Sequence, residues 1–339
     1  MQTSVFLLEK DMFQGKFDLV YRFYYGRLNT KQKKCYEVIV RNALQYNKEF
    51  TLPYCLTEAE TAETFCAMMD DYPLFFFVNS YYYRITGNTM IFRITYRILE
   101  KNVQPLLDSI MKEVTPFVKS IQNRSEEEKE LAVHDYLAKN VLYEKDRSYY
   151  VHQIIGAVLY KKSVCEGFAR TAKMLFDLLG MRSVYVTGYG NCYGGQKGGA
   201  HAWNIVFIKN VPYYLDITFD NSYGKSDISY EYFNLSDKQI ARNHRLDKVL
   251  VHCPEGGDYY TVRGLYLQKK SQLKELVRKN LIAGKKQITF RMDFSRPLNA
   301  LTRNVVDVIL EVCRENPLQW SLKRYWVYEQ QYIFKAEFR

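Results

Sequence analysis

Ser163-Val-Cys165-Glu-Gly167-Phe168-Ala169, His201-Ala-Trp203-Asn204 and Asp216-Ile-Thr-Phe-Asp220 are the three pieces of sequence on which the fold turns. One cysteine, one histidine and one aspartate follow in that order, separated by a glycine-rich stretch. Phe168, Ala172, Leu175, Phe176 and Leu179 recur at the three-and-four spacing of a helix with one buried face, and Gly180 is a natural terminator. Cys165 is therefore expected at a helix N-terminus, where orphan N–H groups and the macrodipole favour a thiolate, the nucleophilic form. A lone cysteine is also well suited to inert burial, because it packs like a small hydrophobe.

The histidine and aspartate sit on a second pattern. Residues 202–208 and 211–217 are strand-like apolar runs separated by Lys209-Asn210, which reads as a two-residue hairpin loop. With that loop, paired positions sum to 419, so Trp203 lies opposite Asp216 and His201 opposite Thr218. His201 and Asp216 then become diagonal neighbours on one face, within reach of each other's side chains. A carboxylate placed there fixes the imidazole's tautomer while the other nitrogen serves a thiol. A core histidine paired with a structural aspartate fits the same spacing, and a one-residue change in the loop would put the two on opposite faces.

These motifs, with Tyr214-Leu-Asp216-Ile-Thr218 and the preceding His134-Asp-Tyr-Leu-Ala-Lys-Asn-Val-Leu-Tyr143, together resemble the core of the transglutaminase-like superfamily, in particular its microbial members. The resemblance covers about residues 125–235. It implies a papain-like α+β core and a Cys-His-Asp set, with Cys165 as nucleophile, His201 as general base and later acid, and Asp216 as the orienting carboxylate. It further implies that Glu166, Tyr189 and Trp203 belong to the substrate side of the site. Ser163 stands where the family usually has glycine, and Phe219 where the aspartate motif often ends in tryptophan. The activity implied is attack on an amide carbonyl to give a thioester. Water as acceptor makes a peptidase-like hydrolase, an amine makes a protein-glutamine transglutaminase, and a chain that has lost the chemistry makes an interaction protein.

Composition bounds the rest. The chain has 339 residues, 47% of them apolar, enough for one large domain or two to three small ones. Apolar runs long enough for a membrane span are absent, and Met1 to Phe17 lacks the pattern of a signal peptide, so a soluble, cytoplasmic protein without membrane partners is expected. The seven cysteines are odd in number and scattered without a Cys-x-x-Cys pair, which suits free thiols in a reducing compartment. His252-Cys253 lacks a partnering pair, and neither a metal nor any other cofactor is expected. Cys192 is the rival nucleophile, but a glycine-rich loop gives it neither a helix dipole nor a fixed partner.

The formal net charge is +11, and residues 261–339 hold 16 Lys and Arg against 7 Asp and Glu. The surplus thus lies C-terminal to the catalytic motifs. It fits either an anionic partner, such as nucleic acid or acidic protein, or simply a solvated basic surface.

Along the chain the expected parts are an N-terminal α+β region (1–100), the catalytic core (101–258) and a basic α/β region (259–339). Within the first, helices are expected at 31–46 and 58–69, a strand at 74–78, and a hairpin, 81–86 and 89–97, around Gly87-Asn88. Tyr81-Tyr-Tyr83 suits either a half-buried sheet or a stacking platform. A helix at 102–122 precedes a second one opened by Ser125 with Glu128, a capping-box pair, and carrying His134, either as a substrate-facing, pH-sensitive group or as a satisfied core histidine. A strand at 183–187 leads to the loop 188–199, six of whose twelve residues are glycine. That loop suits a lid over an acyl intermediate or a plain surface crossover, and lacks the Gly-Lys-Ser/Thr ending of a phosphate cradle. Further on, 230–235 is expected to rejoin the sheet. Helices follow at 267–282 and 300–313, with strands at 287–294 and within 320–338.

Overall fold

A computed structural model describes residues 21–144, 148–192, 197–222, 224–225, 227–248, 250–292, 298–315 and 320–339. The stretch read for a signal peptide and the middle of the glycine-rich loop, 193–196, lie outside the described residues. The fold is α+β, with helices packed on several separate sheets. The chain divides into two compact units, one holding the residues up to Gly188 with Ala200–Ser229 and Leu246–Lys248, the other Tyr189–Gly199, Tyr230–Arg245 and Val249–Arg339.

The first unit opens with helices α1 (Phe23–Arg27) and α2 (Thr30–Leu44), then β1 (Glu49–Leu52) and α3 (Glu58–Asp71). Capping boxes at Asn29 with Gln32 and at Thr57 with Glu60 fix the starts of α2 and α3. Strands β2 (Val78–Thr86) and β3 (Thr89–Tyr96) form the Gly87-Asn88 hairpin, and β1 pairs on the far side of β3. Met90, Phe92 and Ile94 are buried while Arg93 is exposed, so one face of this sheet is covered, as the alternation requires. Tyr81 stacks on Phe92 at 5.3 Å between ring centroids, so its ring packs within the sheet.

The strand expected at 74–78 is instead a 3-10 turn, Pro73–Phe75, and the ladder begins only at Val78. Phe75, Phe76 and Phe77 are all buried, so this apolar run has no outward-facing alternate positions. A continuous apolar run cannot by itself distinguish a strand from a buried turn.

Helix α4 (Glu100–Ile121) is followed by α5 (Glu126–Asn140), whose Ser125–Glu128 capping box forms as the sequence predicts. The connection to the nucleophile segment contains β4 (Leu142–Tyr143) paired in parallel with β5 (Lys162–Ser163), and a π-helical turn over Gly156–Tyr160. Helix α6 (Cys165–Leu178) comes next, and β6 (Ser183–Gly190), β7 (Gly199–Ile208) and β8 (Val211–Leu215) lie side by side in the order β8-β7-β6.

Helix α6 is more deeply enclosed than a single apolar stripe predicts: every residue from Gly167 to Asp177 is buried. The polar ones are matched internally, which burial demands. Lys173 Nζ donates to Asp177 at 2.6 Å, and Arg170 donates to Glu166 and to the Met69 carbonyl while lying over the Tyr185 ring. At the C-terminal end Gly180 takes φ +69°, and Met181 N–H reaches the Phe176 carbonyl at 2.9 Å, closing the helix as a glycine C-cap does.

The second unit includes α7 (Asp237–Ile240), β9 (His244–Leu246), of which Leu246 is assigned to the first unit, α8 (Tyr259–Val262), β10 (Tyr266–Leu267), α9 (Lys270–Ile282), β11 (Gln287–Met292), α10 (Leu298–Glu315), β12 (Leu322–Tyr328) and β13 (Ile333–Phe338). Its sheet runs β10-β11-β13-β12, and α9 and α10 share an apolar core with one face of it. Of the strand expected at 230–235, only a single β-bridge at Leu235 forms. The residues just before it turn, and Tyr230 stacks on Tyr259 at 3.9 Å, so ring packing rather than a ladder uses these aromatics.

Candidate active site

The hairpin register sets the site. Asn204 pairs with Leu215 and Ile208 with Val211, so paired positions sum to 419. Lys209 and Asn210 both take positive φ, 49° and 70°, as a two-residue turn with matching twist requires. Asp216 follows β8 directly, and its Oδ2 lies 2.6 Å from His201 Nε2. The other carboxylate oxygen accepts the Phe219 backbone N–H at 3.1 Å, so the turn after β8 holds the aspartate it carries. Nε2 is thus the ring nitrogen that faces Asp216.

Cys165 is the first residue of α6, preceded by Val164 in extended conformation. Small side chains bring this turn close to the sheet: Ala169 of α6, Ala202 of β7 and Tyr185 of β6 form one buried apolar cluster. Asn204, fully buried, donates to the Ala169 carbonyl at 3.0 Å and to the Val184 carbonyl at 3.4 Å, tying helix to sheet. Behind Cys165, Ser163 Oγ donates to the Val151 carbonyl. A Cβ on Gly167 would meet that Oγ at 2.2 Å and the Val151 carbonyl oxygen at 2.5 Å, so only glycine fits two residues after the cysteine.

Burial works against the protonation of His201, but the Asp216 charge and hydrogen bond, and after them Cys165, raise its pKa to about 10. The structure thus joins His201 to Asp216 by a hydrogen bond, and Cys165 is among the groups that raise the imidazole's pKa. Trp203 is 1% exposed and its ring packs at 5.7 Å from the imidazole; Phe219 packs against it at 4.8 Å. Trp203 therefore acts on the site through the imidazole. Glu166 pairs with Arg170 and with His152 Nδ1 at 3.1 Å. Tyr189 belongs to the second unit, where its ring lies under Lys197 and Arg245.

Two participants escaped the sequence reading. Tyr143 has its pKa raised, first by burial and then by Cys165 and Asp216. Asp220, fully buried, accepts from Ser229 Oγ at 2.8 Å and faces His134 Nε2 at 3.3 Å, while His134 Nδ1 faces Asp135 at 3.0 Å. Burial opposes the charge on His134, yet the two carboxylates hold its pKa at about 9. This pair anchors the far end of the turn 216–220, whose near end carries Asp216. Both residues lie inside quoted motifs, but nothing in their local spacing signals that α5 and this turn meet.

A mixed α+β fold with a buried imidazole–carboxylate pair and a cysteine at the first turn of a helix is the class of structure these elements define. Residues 115–216 match the family model of the transglutaminase-like superfamily. Among solved structures, a protein called a TGase is 16% identical over 50% of this chain and 50% of its own, with a TM-score of 0.30. A candidate cysteine protease from Cytophaga hutchinsonii is 14% identical over 41% of this chain and 61% of its own, with a TM-score of 0.28. The matches thus span between half and two thirds of those chains. No curated protein sequence matches. Among the described residues, no helix is long and apolar enough to cross a membrane.

Proposed function

We propose that this protein is a cysteine-dependent amide-bond hydrolase acting on protein or peptide substrates through a thioester acyl-enzyme. The observation that carries this reading is the His201 imidazole, hydrogen-bonded to Asp216 on Nε2, with Cys165, the first residue of a buried helix, among the groups that raise its pKa. In this scheme His201 takes the Cys165 proton, and the imidazolium beside the sulfur favours the thiolate. The sulfur attacks the amide carbonyl, the C–N bond breaks, and His201 passes its proton to the departing amine. Neutral His201 then takes a proton from water, whose oxygen displaces the sulfur and yields the carboxylic acid. The Cys165 backbone N–H lies in the first turn of α6, where N–H groups lack intrahelical acceptors, and is the donor we assign to the oxyanion. Asp216 fixes the imidazole, and Trp203 and Phe219 pack against it. All seven cysteines are free, which suits work in a reducing, cytoplasm-like compartment.

The test is a glutamine-containing peptide library incubated with wild type and Cys165→Ala, with and without a primary amine, and read by mass spectrometry. Hydrolysed peptides from wild type alone are the expected result. Amine-bearing products in place of hydrolysis would reassign the acceptor and make the protein a transglutaminase. Peptides unchanged by wild type would remove the enzymatic reading.

A further inference from the structure

The sheet of the second unit has two unlike faces. Ile288, Phe290, Phe334, Ala336 and Phe338 point into the apolar core shared with α9 and α10. The alternate positions form rows on the opposite face: Arg324 beside Glu337 beside Gln287, then Trp326 beside Lys335 beside Thr289. The next row, Tyr328, Ile333 and Arg291, is closed over at its inner end, where Arg291 and Ile333 are buried and Arg291 pairs with Asp258. In the first two rows Arg324 is exposed, and Gln287, Thr289, Trp326, Lys335 and Glu337 are part-exposed. Side-chain exposure is 59% at Arg324 and 46% at Lys323, and Lys285 and Lys286 are exposed in the turn that enters β11.

These positions are basic and aromatic together. Lys323 and Arg324 both reach the single carboxylate of Glu337, so that pair keeps a surplus of positive charge. Arg324 lies 4.7 Å and Lys335 5.1 Å from the Trp326 ring, a half-buried indole with cations on hand. A pair of surface ion pairs accounts for little stability, and the half-buried Trp326 is not among the fully buried residues of the core on the other face.

We propose that this part-exposed sheet face, centred on Trp326 and flanked by Lys323, Arg324 and Lys335, binds single-stranded nucleic acid. The cations meet phosphates and the indole offers a base a stacking surface, the pairing of features that sequence-tolerant single-strand binders use. An acidic peptide would satisfy the cations and leave Trp326 unused, and a duplex would present its bases already stacked.

The experiment measures fluorescence anisotropy of labelled single-stranded DNA and RNA of about ten nucleotides on the full chain, between about 50 and about 200 mM salt. Binding is expected to weaken with salt, with a log–log slope of about −2 for three phosphate contacts. Lys323→Glu with Arg324→Glu should weaken binding about tenfold or more and flatten that slope. Trp326→Ala should weaken it about tenfold and Trp326→Phe restore most of the loss, each with an unchanged melting temperature. Absence of binding by wild type, binding indifferent to these substitutions, or equal affinity for a polyglutamate peptide or a duplex would each overturn the proposal. Peptide hydrolysis is read separately, so failure here leaves the thiol chemistry untouched.

Discussion

Helix α6 on β6–β8 and helices α9 and α10 on β10–β13 are two helix-on-sheet assemblies built to opposite rules. The core between α9, α10 and their sheet is apolar throughout, and the charges of those helices pair at the surface, as Lys274 does with Glu311 and Arg278 with Glu315. Around α6, by contrast, His201, Asp216, Asn204, Arg170, Lys173 and Asp177 are all buried. Burying a polar group costs about 1–3 kcal/mol unless it is hydrogen-bonded, and a charge costs more. Stability alone would favour the first arrangement. The second is the one that positions chemistry, and it depends on partners being kept.

Substitutions should separate the two most sharply at the reacting groups. Cys165→Ala and His201→Ala are expected to lower kcat/KM for peptide hydrolysis about ten-thousand-fold or more. Asp216→Asn should lower it about a hundred- to ten-thousand-fold, while an NMR titration follows the His201 pKa as it falls from about 10 towards the ordinary value near 6.5. Equal activity in Asp216→Asn would mean that Asp216 only packs the turn.

Gly167→Ala should come next, since its Cβ would strike the Val151 backbone; about 1–3 kcal/mol of stability should be lost in urea unfolding. The contrasting surface pair predicts the smallest effect: Lys274→Ala should change stability by under about 1 kcal/mol.

pH sharpens the comparison further. His134 and His201 both have folded pKa values raised, to about 9 and about 10. A raised pKa stabilises fully below the unfolded value near 6.5, and that contribution is lost as pH rises through the folded value. Urea midpoints should therefore fall from about pH 6.5 to about pH 10, and Asp220→Asn should flatten the part of that fall owed to His134.

Much of this contrast was legible in sequence, where local chemistry dictates structure. Lys209-Asn210 fixed the hairpin and hence the 419 register that puts Asp216 at His201, and Ser125 with Glu128 fixed the start of α5. Gly180 marked the end of α6 correctly. The two-sided burial of α6 was not legible, because Arg170, Lys173 and Asp177 look like a solvated face until Lys173 and Asp177 are seen buried as an i,i+4 pair and Arg170 paired with the part-buried Glu166. The His134–Asp220 contact spans 86 residues, and no periodicity reports a contact of that range. The 3-10 turn at Pro73–Phe75 was masked by an apolar run that suits a strand equally well.

The central claim, that His201 makes Cys165 a nucleophile, is tested most directly by site-resolved alkylation. Wild type, His201→Ala and Asp216→Asn are treated with an iodoacetamide-type reagent at about pH 6, and labelling of each of the seven cysteines is timed by mass spectrometry. Cys165 in wild type should label at least about tenfold faster than the exposed Cys55 and Cys66, and lose that lead in both variants. Cys165 labelling no faster than Cys55 and Cys66, or equally fast without His201, would contradict the account.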